Sequence, residues 1–171
     1  PSTNDLIIFG LSRAIKKNPT LNGIIGEDYF DEYSVAHIAV AVDTPKGLIT
    51  PVIRDASEKS LDEIAVDSKE LITKAREGKL SLKFIQGGTI TMSNLGWSGV
   101  SFFTPILNPP QAAILGVGSQ LKALKMVDGV VVEYPQITLS LTMDHGPNDG
   151  VAGTIFIKEI GTVLENIQDY L

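Results

Sequence analysis

The chain has 171 residues, a length that predicts a single domain. Hydrophobic residues make up 43% and charged residues 20% of the sequence, as in soluble globular proteins, which excludes disordered and fibrous classes. The formal net charge of −6 and the scattered basic residues argue against nucleic-acid binding, and the absence of cysteine excludes disulfides, thiolate metal sites and a cysteine nucleophile.

No apolar run approaches the ~20 residues that span a bilayer. The N-terminus lacks the basic start and apolar centre of a secretory signal, and the lack of cysteine suits a reducing compartment. We therefore expect a soluble intracellular protein that does not bind membranes.

Apolar spacing predicts a first helix within residues 1–18, capped by Ser2 or Thr3 and ended by Asn18-Pro19. Two β-branched, apolar segments follow, at residues 35–42 and 48–53. A Pro-Lys-Gly turn separates them, so they are predicted to be partner strands.

Ser60 and Glu63 form a capping box that predicts the start of a second helix, which Gly78 ends. Residues 79–87 are predicted to be a connector. Residues 89–93 form a predicted strand that breaks at Asn-Leu-Gly.

A buried strand is predicted at residues 112–117. A hairpin is predicted from residues 127–133 and 136–143, with turns around Gly129 and Pro135. A last helix is predicted over residues 151–170. One mixed α/β domain accounts for all these elements.

The chain has two histidines. His37 lies within a predicted strand, where a histidine is most often structural or surface-exposed. His145 lies in a sharp Asp-His-Gly-Pro-Asn-Asp-Gly turn, beside Asp144 and four residues before Asp149. It is either an incidental histidine of an acidic loop or a general base held by the geometry of the turn.

Other chemistries fit the sequence less well. A calcium loop that began at Asp144 would have glycine third and aspartate sixth, the wrong pattern, and too few histidines remain for zinc. Gly116-x-Gly118 lacks the third glycine of a dinucleotide-binding turn. No nucleophile elbow is present, so Ser93, at the end of a strand, fits a hydroxyl donor better than a nucleophile.

Five stretches carry a family resemblance. They are residues 40–56, with Gly-Leu-Ile-Thr-Pro-Val-Ile-Arg-Asp-Ala at their end, 91–96 (Thr-Met-Ser-Asn-Leu-Gly), 103–111 (Phe-Thr-Pro-Ile-Leu-Asn-Pro-Pro-Gln), 113–118 (Ala-Ile-Leu-Gly-Val-Gly) and the turn at 144–150. In this order and over essentially the whole chain, they resemble the catalytic domain of dihydrolipoyl acyltransferases, the core components of 2-oxo acid dehydrogenase complexes.

The resemblance implies a fold similar to that of chloramphenicol acetyltransferase, a mixed sheet packed by helices in a two-layer sandwich. It implies an active site in a channel between the subunits of a homotrimer. His145 would take the thiol proton of coenzyme A or dihydrolipoamide, and Ser93 of a neighbouring subunit would stabilise the oxyanion. Asp149 would hold the turn through a salt bridge to an upstream arginine.

The resemblance also implies substrates and partners. The substrate-binding residues would be Asn94, Gly96, Thr104 and Asn108. Coenzyme A would be a substrate, the lipoyl group would be carried on another domain, and no metal would be required. The partners would be lipoyl domains, the 2-oxo acid decarboxylase-dehydrogenase and dihydrolipoyl dehydrogenase, around a cubic or dodecahedral core to which the apolar C-terminus contributes.

Two features depart from the family pattern. Gly146 stands where the family usually has arginine, and Pro147 stiffens the same turn. The family domain also begins several dozen residues earlier. We therefore interpret residues 1–171 as the acyltransferase catalytic domain without its N-terminal segment, with the lipoyl and subunit-binding domains absent. Its location would be the cytoplasm in a bacterium or archaeon and the mitochondrial matrix in a eukaryote.

Three functional hypotheses remain at this point. The first is an active acyltransferase, with an acetyl group favoured by the Phe-Thr-Pro-Ile-Leu-Asn-Pro-Pro stretch and with succinyl and branched acyl groups open. The second is a catalytically silent family member that serves as scaffold or binds dihydrolipoyl dehydrogenase. The third is an acetyltransferase for a soluble small molecule. Because His145, Asp149 and Ser93 are all present, the first hypothesis is favoured.

Overall fold

Three helices pack on one face of a five-stranded mixed sheet in the computed structural model, which describes residues 1–171. The helices are α1 (Thr3–Ile15), α2 (Leu61–Arg76) and α3 (Gly150–Glu165). The strands are β1 (Gly23–Ile25), β2 (Phe30–Glu32), β3 (Ile38–Val40), β4 (Val42–Thr44), β5 (Gly47–Ile49), β6 (Val52–Ile53), β7 (Ile90–Asn94), β8 (Ala113–Val127) and β9 (Val130–Met143).

The main sheet has the strand order β6-β3-β7-β8-β9. The pairs β3–β7 and β7–β8 are parallel, whereas β6–β3 and β8–β9 are antiparallel. Two small antiparallel sheets, β1–β2 and β4–β5, lie outside it. This mixed sheet with helices on one face agrees with the predicted fold class.

The core lies between the helices and one face of this sheet. Because side chains alternate along a strand, every second residue of β7 and β8 faces the helices, as Met92 and Leu115 do, both fully buried. From the helices, Phe9, Leu11 and Phe156 fill the same space. Burial of these apolar side chains is the main source of the fold's stability.

The long hairpin corrects one prediction. β8 and β9 are continuous strands joined by a two-residue turn at Asp128 and Gly129, with φ of 50° and 80°. Asp-Gly with positive φ at both positions gives the tight turn whose twist suits a hairpin. The predicted break at Pro135 is wrong, because Pro135 lies within β9, opposite Lys122. Proline is tolerated there since this arm of the hairpin extends beyond β7 and has free edges.

Several element boundaries also differ from the predictions. The strand predicted at 35–42 is divided into β3 and β4, and the strand predicted at 48–53 into β5 and β6. The reason is that β5 pairs with β4 while β6 pairs with β3, so the chain changes partner at Thr50-Pro51. The last helix ends at Glu165 and is followed by a 3₁₀ turn at Ile167–Tyr170.

The helix starts agree with the sequence. Ser2 caps α1 and Ser60 caps α2, each in a capping box with the acidic residue three positions later. At α2 the backbone N–H of Ser60 donates to Glu63 Oε2 (2.8 Å), and this bond together with the Ser60 hydroxyl lowers the pKa of Glu63. No helix of the chain has both the length and the apolar character needed to cross a membrane.

The capping box of α2 yields a stability prediction. Ser60→Ala removes the oxygen that accepts the Glu63 N–H, and we expect it to lower the thermal unfolding midpoint by about 2–4 °C. Ser81→Ala is the matched control, because Ser81 precedes a 3₁₀ turn without making a capping hydrogen bond. Equal shifts for the two variants in thermal unfolding would contradict this assignment.

Candidate active site

His145 lies in the turn between β9 and α3 and is exposed in the single chain. The preceding residue, Asp144, makes two hydrogen bonds. Its backbone N–H donates to the carbonyl of Ala112 (2.8 Å), and its Oδ1 accepts the N–H of Gly146 (2.8 Å). The histidine therefore projects from a turn that is fixed to the end of the sheet.

The two residues before α3 hold the far side of the turn. Asp149 is the N-cap of α3, and its Oδ1 accepts the N–H of Ala152 (2.8 Å). It takes part in none of the ion pairs of the chain, so the predicted salt bridge of Asp149 to an arginine stays a prediction. Asn148 is buried, and its Nδ2 donates to the carbonyl of Thr20 (3.0 Å). Sequence reasoning missed Asn148, because a polar residue in a turn carries no signal of burial.

Ser93 lies near the C-terminal end of β7 and is half-buried. Its neighbour Met92 faces the helices, so Thr91 and Ser93 face the opposite side of the sheet. The Thr91 hydroxyl donates to Gln111 Oε1 (2.5 Å), whereas the Ser93 hydroxyl has no hydrogen-bond partner within the chain. The Ser93 hydroxyl is therefore free to donate to a ligand.

The loop 101–111 covers this second face of the sheet. Ser140 donates to the carbonyl of Phe103 (2.7 Å), and Thr142 donates to that of Pro105 (2.5 Å). Pro105 lies so close to Gly116 that a Cβ at this position would be 3.0 Å from the proline ring. The loop is therefore held directly over the strand that pairs with β7.

The four predicted substrate-binding residues follow Ser93 in the chain or lie on the covering loop. Asn94 follows it, donates to Asn4 Oδ1 (2.5 Å) and accepts the N–H of Gly96 (2.7 Å). Thr104 and Asn108 lie on the covering loop, Thr104 exposed and Asn108 half-buried. Thr104 and Asn108 thus share the face of Ser93, where Asn108 Nδ2 donates to the Thr91 hydroxyl (3.2 Å), whereas the Asn94 side chain faces α1. His145 and Asp149 are absent from both places.

A cavity of about 490 Å³ opens beside this region, where the parallel strands β3 and β7 end. The carboxyl ends of parallel strands are a common place for ligands in α/β folds. Its lining combines apolar, aromatic and charged side chains, which include Val40, Asp43, Arg76, Asn94 and Trp97.

Ser93 and His145 lie apart both along the strands and across the sheet. Ser93 aligns with Gly116, which aligns with Ser140, whereas Met143 lies three residues further along β9 and aligns with Ala113. His145 comes two residues after Met143. It therefore lies more than about 10 Å from Ser93 in the strand direction, and two strands, or about 10 Å, away across the sheet. The two side chains of one chain cannot contact the same reacting group.

His37 lies apart from both regions, immediately before β3. Its Nδ1 accepts the backbone N–H of Asp55 (3.1 Å), and the Asp55 carboxylate is 3.7 Å away. Burial lowers the pKa of His37, and Arg54 and Lys59 lower it further, against the opposing effect of Asp55. Its contacts are structural, in agreement with the interpretation favoured from the sequence.

No three histidine, cysteine, aspartate or glutamate side chains of the chain are grouped closely enough to hold a metal ion.

The family model described as the 2-oxoacid dehydrogenases acyltransferase catalytic domain matches residues 1–171. The chain belongs to this acyltransferase family. The resemblance inferred from the five motif stretches is therefore confirmed.

Among relatives of the family, the dihydrolipoyllysine-residue acetyltransferase component of the mitochondrial pyruvate dehydrogenase complex of Neurospora crassa is 40% identical over 171 residues. The match covers 96% of this chain and 37% of the relative. The chain thus spans about two fifths of the length of such relatives.

Solved structures of the family are also similar. The dihydrolipoamide acetyltransferase of Azotobacter vinelandii, studied for the role of a serine, a histidine and an asparagine in its catalytic mechanism, is 34% identical with a TM-score of 0.91. The cubic core of a pyruvate dehydrogenase multienzyme complex is 35% identical with a TM-score of 0.91. Each match covers 98% of this chain and 70% of the solved one.

Chloramphenicol acetyltransferase, at 18% identity and a TM-score of 0.61, shares the fold over 95% of this chain and 78% of its own. The predicted fold class of this acyltransferase domain is confirmed.

The His37 contact predicts a pH-dependent stability. Because the folded state favours neutral His37, its contribution is present above the unfolded pKa of about 6.5 and is lost as pH falls through the lower folded value. Between about pH 7.5 and 5.5 we expect the thermal midpoint of the wild type to fall more than that of His37→Gln. Parallel pH curves for the two proteins would contradict this.

The N-cap role of Asp149 can be separated from its charge. Asp149→Ala loses the oxygen that caps α3 and is expected to lower the thermal midpoint by about 2–4 °C. Asp149→Asn keeps an oxygen acceptor and is expected to stay near the wild type, since asparagine caps about as well as aspartate. If Asn is as destabilising as Ala, then the charge of Asp149, rather than its cap, is what matters.

Proposed function

We propose that residues 1–171 are the catalytic domain of a dihydrolipoyl acyltransferase that moves an acetyl group between dihydrolipoamide and coenzyme A. One observation carries the proposal. An exposed histidine in a fixed turn and a serine with a free hydroxyl occur at the spacing of the residues studied in the Azotobacter enzyme. In that enzyme the histidine follows the serine by 52 positions and the asparagine follows the histidine by four, as His145 follows Ser93 and Asp149 follows His145.

The reaction needs a base and an oxyanion donor. The His145 imidazole takes the proton from the thiol of the acceptor, and the resulting thiolate attacks the carbonyl carbon of the thioester. The negative charge that develops on the carbonyl oxygen accepts a hydrogen bond from the Ser93 hydroxyl. When the intermediate collapses, the carbon–sulfur bond of the donor breaks and the leaving thiolate takes the proton back from His145. The same steps run in both directions.

The distance between the two side chains supports a shared site. Since Ser93 and His145 of one chain lie too far apart, the base of one copy must meet the serine of another. A closed ring of copies, such as a trimer, gives every copy both roles. The similarity to a solved cubic core supports assembly of such trimers into a larger core, to which the apolar C-terminus would contribute.

The proposed reaction has two thiol substrates, one free and one carried on a protein domain. Coenzyme A and a lipoyl arm carried on another domain would meet in a channel, with Asn94, Gly96, Thr104 and Asn108 on the serine side. The partners of the core would be lipoyl domains, the 2-oxo acid decarboxylase-dehydrogenase and dihydrolipoyl dehydrogenase. Such a core would act in the bacterial or archaeal cytoplasm or in the mitochondrial matrix.

Acyl transfer from acetyl-CoA to dihydrolipoamide tests the proposal. His145→Ala is expected to reduce kcat by about 10²–10⁴-fold, the usual contribution of a general base. Ser93→Ala is expected to reduce kcat by about 10²–10³-fold through loss of the oxyanion donor.

His37→Gln and Ser81→Ala are the matched histidine and serine controls and are expected to keep wild-type rates, because both residues lie away from the site. An assembled wild-type protein without acyl transfer to dihydrolipoamide would overturn the proposal. That result would favour the silent scaffold, whose specific support is glycine at position 146.

A further inference from the structure

The turn that carries His145 is held on both sides of the histidine. On the N-terminal side the backbone N–H of Asp144 donates to the carbonyl of Ala112 (2.8 Å). On the C-terminal side the side-chain amide of Asn148 donates to the carbonyl of Thr20 (3.0 Å). The two anchors are four positions apart in the sequence, and His145 lies between them.

Both anchors connect the turn to the segment of residues 20–23. The Ala112 N–H donates to the carbonyl of Gly23 (2.9 Å), three residues from Thr20. This segment is itself fixed, since the fully buried Asn22 donates to the carbonyl of Tyr33 (2.6 Å). Two hydrogen-bond connections therefore link the turn to residues 20–23, one directly and one through Ala112.

The two anchors differ in what they require of the sequence. The bond from Asp144 is made by the backbone, so any residue except proline could make it. The bond to Thr20 is made by a side chain and depends on the amide of Asn148. The side chain of Asp149, the next residue, accepts only a local bond, from the N–H of Ala152 in the first turn of α3.

The other half of the Asn148 amide is unusual. Its Oδ1 is buried and has no hydrogen-bond partner. A buried acceptor without a partner loses its hydration and offsets what the Nδ2 bond contributes. The amide therefore contributes little net stability, since the cost of its unpaired Oδ1 opposes the gain from the bond to Thr20. What the bond to Thr20 supplies is a fixed distance between the turn and a segment 128 residues earlier in the chain.

We propose that Asn148 is a positioning residue that fixes the turn of His145 against Thr20 and so orients the imidazole for proton transfer. The inference rests on the proposed acyl transfer for its kinetic consequence. Its structural part, the restraint of the turn, holds independently of the reaction.

Two substitutions test the proposal kinetically. Asn148→Leu removes the amide without adding charge, and Asn148→Asp keeps the shape but cannot donate when ionised. Both are expected to lower kcat by about 10–100-fold, the effect of misplacing a reacting group by about 1 Å, with KM values within about twofold of wild type. Asn148→Leu is expected to keep the thermal midpoint within about 4 °C of wild type.

Val163→Ala is the control for stability. Val163 is fully buried in α3, away from the turn, so this variant lowers the thermal midpoint without moving His145. We expect it to keep the wild-type kcat at temperatures where it is folded. If the Asn148 variants lose no more kcat than Val163→Ala, then Asn148 is merely structural and the proposal is overturned.

Hydrogen exchange measured by mass spectrometry tests the restraint without any reaction. The chain has two histidines, so exchange at the imidazole C2 position reports on His145, with His37 as internal reference. In both Asn148 variants we expect faster amide exchange at residues 144–150 and altered C2 exchange of His145, with His37 unchanged. Unchanged exchange at the turn would overturn the proposal even if the wild type proved inactive, whereas an inactive wild type with altered exchange would contradict the proposed function alone.

Discussion

The pairing register of β7, β8 and β9 determines where both candidate catalytic side chains lie. Backbone hydrogen bonds align Ser93 with Gly116 and Ser140, and they place the turn of His145 after the C-terminal end of β9, beside the start of β8. A shift by one residue would move Ser93 to the helix-facing side of the sheet. Because this register separates His145 from Ser93 within one chain, the proposed reaction requires a second copy to complete the active site.

The two side chains are supported in different ways. Ser93 belongs to a strand and lies under a loop that Ser140 and Thr142 hold by side-chain hydrogen bonds. His145 belongs to a turn, where the backbone is less constrained, so the turn needs its own restraints. Asp144 and Asn148 supply them on either side of the histidine. The glycine at position 146 fits this arrangement, because its N–H donates to Asp144 Oδ1 and a Cβ at this position would lie 2.9 Å from the same oxygen.

Much of the fold and of the candidate site could be predicted from the sequence. The capping boxes at Ser2 and Ser60 are local signals, and local hydrogen bonds decide where a helix begins. The hairpin turn at Gly129 was predicted, whereas the break predicted at Pro135 was wrong, because proline is a strong local signal for a break and tertiary pairing places Pro135 within a strand. The division of the early strands depends on which strand each one pairs with, which no local pattern encodes. The burial of Asn148 likewise follows from a contact 128 residues away.

The central claim is that one active site combines His145 of one copy with Ser93 of another. Coexpression of His145→Ala and Ser93→Ala chains, each with its own affinity tag, tests it directly. Mixed assemblies purified through both tags contain interfaces at which the intact histidine of one chain meets the intact serine of the other. For random mixing we expect about a quarter of the wild-type acyl-transfer rate, far above either variant alone. Mixed assemblies as inactive as the separate variants would contradict the claim.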